Sequence, residues 1–287
     1  MIKRVKAGIQ RGLGLHRPGR SLLILPDDIF LVSFPKSGNT WTRFLLANLR
    51  FPNEPATWAN IDRLVPDPTG TAKKDFDRIP RPRIIKSHEC FDPRYPRVIY
   101  IVRDPRDVVV SQYHYHRKIR RIEVDSPIEK FVPRFLAGET CPHGSWGQNV
   151  ATWLYTSEGD PRFLLLRYED LVADTARELA KVVDFLKLSA GPAQIAQAVE
   201  RSSADRMRAM EKAQDNGLFK GSRNDMSFVR AAGSGGWRTG LPAPMVAKIE
   251  SAWGPLMRHL GYELSTKTAS EAPEYASLGV AHGARNV

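Results

Sequence analysis

Cysteine is nearly absent: Cys90 and Cys141 are the only two in 287 residues. They lie far apart in the sequence and match no metal or redox spacing. That excludes a zinc site and a disulfide framework, and leaves a reducing, cytoplasmic setting as the default. No stretch reaches the roughly 18 apolar residues that a membrane-spanning helix needs. No internal repeat is found, and the G-x-x-x-x-G-K-[ST] loop of nucleotide triphosphatases is missing, as is any obvious separate carboxylate for magnesium. The scarce charge is acid: 31 Asp and Glu against 43 Lys and Arg give a formal net charge of +12.

That surplus implies anionic partners. The basic residues are scattered rather than gathered into a Lys/Arg tract with interleaved aromatics. An anionic cofactor, an acidic acceptor or a membrane surface therefore accounts for them ahead of nucleic acid. Residues 1–27 form a basic arm without the apolar core and cleavage site of a secretory signal. They read as a frayed, solvated arm, with peripheral contact to an anionic membrane as the alternative. With 42% hydrophobic residues, the chain suits a single α/β domain over 28–263. Residues 264–287 lose the apolar pattern and read as a mobile tail.

Four short, nearly continuous apolar segments, 29–33, 84–86, 98–102 and 163–168, have the character of strands covered on both faces. Helical spacing at 40–50, 105–118, 145–156 and 175–186 alternates with them, and a further helix is expected at 243–260. Such alternation argues a doubly wound α/β architecture, a central parallel sheet flanked by helices, with ligands at the carboxyl ends of the strands. Residues 51–83 read as an excursion of loop with a short helix, and the Gly-rich stretch 212–242 as a lid.

Three segments carry chemistry. "FPKSGNTW", residues 34–41, turns from strand to helix, where free backbone N–H groups and the helix dipole favour an anion. Lys36 adds a charge, Ser37 and Thr40 add hydroxyl donors, and Gly38 lets the backbone approach closely. In "RIIKSHE", residues 83–89, Lys86 precedes His88, an imidazole at the carboxyl edge of a parallel sheet and a candidate general base. His114 and His116 read as helix-surface or packing residues. In "RVIYIVRDPRDVVVSQYHYH", residues 97–116, the strand-end guanidinium of Arg103 and the Ser111 hydroxyl two turns into the helix can converge on one phosphate. Asp104 is placed to cap that helix, and Arg106 to pair with Asp107 or a ligand. Taken singly, each segment also has an ordinary structural reading: a tight turn, a loop histidine, a capped helix with a surface ion pair.

Together and in this order, the three segments resemble the sulfotransferases that use 3′-phosphoadenosine 5′-phosphosulfate (PAPS). "PKSGNTW" is similar to their 5′-phosphosulfate loop, "KSH" to their catalytic-histidine segment and "RDPRDVVVSQY" to their 3′-phosphate segment. "GSWGQNV" and "RYEDL" extend the likeness, which runs from about residue 28 to 240. It implies a three-layer, P-loop nucleotide-transferase-like fold. It further implies that Lys36, Ser37, Gly38, Asn39, Thr40 and Trp41 surround the phosphosulfate, with Trp41 reaching the adenine. Arg103 and Ser111 would hold the 3′-phosphate, Tyr168 and Ser202 the adenine side, and Phe228 and Arg230 would belong to the lid. The lid departs from the family pattern at Ala231, Ala232 and Gly236, with Arg223 or Arg238 as candidate replacements for the missing lysine. The family's dimer motif is not recognisable.

The chemistry implied is in-line sulfuryl transfer without a metal. His88 is the expected base, and Lys36, helped by Lys86, neutralises the leaving oxygen as adenosine 3′,5′-bisphosphate (PAP) departs. Residues 51–83, 119–143 and 212–236, with Trp58, Phe76, Phe131, Phe135 and Phe219, are the expected pocket walls. A glycan or lipid hydroxyl is favoured as acceptor, with a phenol or steroid-like molecule next. A nucleotide kinase and a non-catalytic polyanion binder are the rival readings.

Overall fold

The computed structural model describes residues 22–69, 71, 76, 78–213 and 221–266. The N-terminal arm up to residue 21, Phe219 and the tail beyond residue 266 lie outside them.

Strand β1 (Ile29–Ser33) leads into helix α1 (Asn39–Arg50), then a short α2 (Ile61–Leu64) and β2 (Ile84–Ser87). After β3 (Val98–Val102) come α3 (Pro105–Lys118), α4 (Ile128–Leu136) and α5 (Trp146–Ser157). β4 (Phe163–Arg167) is followed by α6 (Tyr168–Ala173), α7 (Thr175–Leu186), α8 (Pro192–Arg201) and α9 (Ala204–Lys212). A single turn, α10 (Trp237–Gly240), precedes the long α11 (Ala243–His259).

The four strands are parallel in the order β2-β1-β3-β4. Every residue of β1 and of β3 is buried. Their alternate side chains feed two cores: Phe30, Val32, Tyr100 and Val102 on one face, Ile29, Leu31, Ile99 and Ile101 on the other. Period-two pointing from an apolar strand thus builds the helix-sheet-helix sandwich. The chain leaves β1 toward β2 and returns to the other side of β1 as β3. The loops after β1 and β3 therefore diverge, opening a crevice at the carboxyl edge of the sheet.

Several expectations need correction. Segment 119–143 does border the crevice, through Arg121 and residues 140–143, but it also contains α4, whose Phe131, Val132 and Phe135 are buried in the core. Phe76 also belongs to that core, and Trp58 packs edge-on against Phe44 and Phe228. These aromatics hold the fold together and do not wall the crevice. Arg106 bonds neither Asp107 nor the crevice. It bridges Asp104 and Glu250 at 2.6 Å each, fully buried, with its guanidinium 3.8 Å above the Trp237 ring. Asp104 does cap α3, accepting from the Arg106 backbone N–H at 2.9 Å. Burial of so many charges is tolerable because each is paired and hydrogen-bonded.

Candidate active site

The turn after β1 is held in an unusual backbone conformation. Lys36 has φ 72° and Gly38 φ 96°. A Cβ on Gly38 would stand 2.5 Å from Cδ2 of Tyr168, so only glycine lets that ring lie on the turn. No side chain caps α1, and Gly38, Asn39, Thr40 and Trp41 border the cavity at its N-terminus. This is the arrangement that favours an anion. Asn39 is buried and braces the turn from beneath, donating to Leu31 O and Ser33 Oγ at 3.2 Å each. Two donors nearby, Ser37 Oγ and Arg103 Nε, are buried without a hydrogen-bond partner among the described residues.

Cationic groups converge on this turn. Lys36 Nζ sits 4.5 Å from the centroid of Tyr115 and 4.3 Å from that of Phe228. Burial, then the charges of Arg103, Lys86 and Arg230, push its pKa down to about 7. Arg230 is lowered by burial and by Arg103. The strain among these charges is what an anion would relieve.

Arg103 ties three segments together. Its guanidinium donates to Lys36 O at 3.3 Å and Gly233 O at 3.0 Å, and lies 4.2 Å over the Tyr168 ring. Ser111, on α3, borders the same cavity. Trp41 meets Tyr168 edge-on at 5.9 Å and donates its indole N–H to Ser202 O at 2.9 Å. The Ser202 hydroxyl accepts from Asn48 at 2.9 Å and the residue is fully buried. The structure therefore places Ser202 behind Trp41 rather than on the cavity wall; its backbone orients the indole.

His88 follows the last residue of β2, one place nearer the strand than the sequence suggests. Its Nδ1 lies 2.7 Å from Ser33 O. A carbonyl can only accept, so Nδ1 carries the proton and the lone pair is on Nε2. Burial, reinforced by Lys86 and His143, holds the ring far below the usual histidine pKa, and thus neutral. Lys86 borders the cavity, but its ammonium is engaged by Asp67 Oδ2 at 2.5 Å. Burial alone would raise Asp67; the charge and hydrogen bond of Lys86 overcome it and keep the carboxyl well below its ordinary range. The help expected of Lys86 is thus largely neutralised by a partner nineteen residues earlier. His116, expected as a helix-surface or packing residue, is buried and borders the cavity, its pKa pushed to about 4 by burial and by Arg121 and Arg134.

The lid is anchored by residues that sequence reasoning passed over. Asp107 accepts from the backbone N–H of Gly235 at 2.7 Å and of Trp237 at 2.9 Å. Glu211 accepts from Phe228 and Val229, and Lys118 donates to Arg223 O and Met226 O. Phe228 and Arg230 both border the cavity. Arg223 pairs with Asp225, and Arg238 lies 4.7 Å from the Trp237 centroid. Neither borders the cavity, so neither replaces the missing lysine. The only signal for Asp107 was its place one turn after Arg103; for Glu211 and Lys118 there was none.

The enclosed space measures about 480 Å³, ample for a nucleotide and part of a second molecule. The family model described as the sulfotransferase domain matches residues 26–261. The chain belongs to the sulfotransferase family. Among its relatives are the amine sulfotransferase of Oryctolagus cuniculus, 26% identical over 75% of each chain. Sulfotransferase 1A1 of Bos taurus is 32% identical over 67% of this chain and 69% of its own. The mouse sulfotransferase SULT7A1, solved in complex with PAP, shares 25% identity and superposes with a TM-score of 0.64, covering 83% of this chain and 87% of its own. Retinol dehydratase, solved with retinol and PAP, shares the fold at 19% identity, with a TM-score of 0.69 over 88% and 86% of the two chains. This sulfotransferase has no group of His, Cys, Asp and Glu able to hold a metal, and no helix long and apolar enough to cross a membrane, among its described residues.

Proposed function

We propose that this enzyme transfers a sulfuryl group from PAPS to an acceptor hydroxyl, with His88 as general base. The observation that carries the reading is the convergence of Lys36, Arg103 and Arg230 with a neutral imidazole on one cavity. PAPS, when bound, supplies an activated sulfuryl group whose bond to the bridging phosphate oxygen is the one that breaks. The turn at 35–40 and the N-terminus of α1 receive the phosphosulfate, and Arg103 with Ser111 the 3′-phosphate. Trp41 and Tyr168 provide rings for the adenine.

His88 Nε2 takes the acceptor's hydroxyl proton as the acceptor oxygen bonds to sulfur. Lys36, protonated, balances the charge left on the departing oxygen. The proton ends on His88, the sulfuryl group on the acceptor, and PAP leaves. Ser33 O holds the ring in the tautomer this step requires, and the closed lid keeps water from competing. The acceptor end is bordered by Ser87, Thr140, Gln112, Glu89 and His143. Set among Phe30, Tyr95, Cys141 and Pro142, these polar groups suit an acceptor that carries hydroxyls on a partly apolar frame, and a glycan or lipid is favoured.

Titration calorimetry with PAP and with adenosine 5′-phosphate tests the donor site. Arg103→Ala should weaken PAP roughly a hundredfold, the loss expected for a buried charged hydrogen-bonding group, and adenosine 5′-phosphate far less. Equal losses for both nucleotides would refute the 3′-phosphate role.

A further inference from the structure

The acceptor end of the cavity holds a second imidazole that sulfuryl transfer does not use. His143 stands on the short connection between α4 and α5, and that connection is fixed. Its carbonyl accepts from Cys90 Sγ at 3.7 Å, and Cys141 Sγ donates to Gly144 O at 3.6 Å. Ser145 then closes α5 with a capping box. The His143 and His88 ring centroids lie 5.6 Å apart, tilted by 57°, and both residues border the cavity.

Burial, and then the charge of Lys86, push the His143 pKa to about 4, so the ring is neutral. A neutral imidazole offers one N–H and one lone pair. Nδ1 is buried and faces Glu89 Oε1 at 3.8 Å, which leaves Nε2 as the nitrogen that can meet a molecule in the cavity. One base suffices for the transfer, so the second ring has another task.

The attacking hydroxyl has one proton, committed to His88. A donor drawn to its lone pairs would blunt the attack, so the partner of His143 is a different group on the acceptor. Two hydrogen bonds of about 2.8 Å each, one to either ring, place that group beside the reacting oxygen. We propose, on the footing of the sulfotransferase reading above, that His143 selects acceptors carrying a second hydroxyl on the carbon next to the one sulfated. The substrate class is a vicinal diol or a catechol.

The test uses the full chain, PAPS and two matched probe pairs: catechol with phenol, and cyclohexanediol bearing adjacent cis hydroxyls with cyclohexanol. In the wild type, kcat/KM should favour the diol of at least one pair by roughly tenfold or more. In His143→Phe the ratio should fall toward unity, and in His143→Gln, which keeps hydrogen-bonding capacity, it should largely return. PAP affinity should be unchanged throughout. Should His143→Phe lose PAP affinity through misfolding, His143→Ala carries the same comparison. A ratio near unity in the wild type, a ratio that survives His143→Phe and His143→Ala, or no turnover of any probe by protein that binds PAP overturns the proposal. A wild type that fails to bind PAP sinks the donor reading instead, and the two failures are thereby distinguished.

Discussion

If the turn at 35–40 grips the donor as proposed, Lys36 should make donor binding a proton-linked event. In the free enzyme, burial and the neighbouring Arg103, Lys86 and Arg230 bring its pKa from 10.5 down to about 7, so near neutral pH about half of the molecules carry an uncharged amine there. A bound polyanion restores the ammonium, and only the ammonium form contributes charge to the grip. The pKa is depressed in the free state and recovers in the complex. Affinity is therefore full below about pH 7 and falls as pH rises through that value toward the pKa of the complex. The weakening factor is one plus ten raised to the power (pH − 7), about 2 at pH 7 and about 100 at pH 9. PAP should thus bind roughly fiftyfold more weakly at pH 9 than at pH 7, about 2.3 kcal/mol. Calorimetry in buffers of differing ionisation enthalpy should register uptake of about half a proton at pH 7 and nearly one at pH 9. Lys36→Arg, charged at every pH, should bind without uptake. A dissociation constant flat between these pH values, or heats independent of the buffer, would refute the reasoning.

Two further outcomes follow from the same geometry. Gly38→Ala must accommodate both φ 96° and a contact of 2.5 Å with Tyr168; it should lower Tm by roughly 5 °C and weaken PAP, whereas an unchanged Tm would show that the ring yields freely. Because His88 is held neutral far below the usual histidine range, the acid limb of kcat/KM should lie well below pH 6.5, the ordinary value, and activity is lost only as pH falls through the depressed pKa; a limb at the ordinary value assigns the base elsewhere.

Much of the fold was legible because its signals are local. β1, the turn at 34–38 and α1 follow from an apolar run, a glycine-bearing turn and a helical stripe, all within twenty-two residues, and α3 is marked at its start by Asp104 and Pro105. α4 was hidden by Pro133 inside it, and α8 and α9 by short apolar stripes among many charges. Phe131 and Phe135 read as pocket walls in the sequence because composition tells that a ring is buried, not which of two faces it fills. The candidate site divides the same way. Its motif residues could be named from spacing, but Lys86 meeting Asp67, Ser202 turning its hydroxyl to Asn48, and Asp107 gripping a lid 128 residues away are products of the crossover topology. His143 falls at the end of an expected pocket wall, but nothing in the sequence sets it beside His88, fifty-five positions earlier along the chain.

The Arg103 guanidinium, shared among the carbonyls of Lys36 and Gly233 and the face of Tyr168, sets one further condition on the catalytic cycle. Two of its five N–H groups reach those carbonyls and Nε–H has no partner among the described residues, so a nucleotide can recruit the remaining donors without opening the carbonyl clasps. Loading the donor should therefore add a further tie to the flap on that side, which makes the donor-bound protein the tighter of the two.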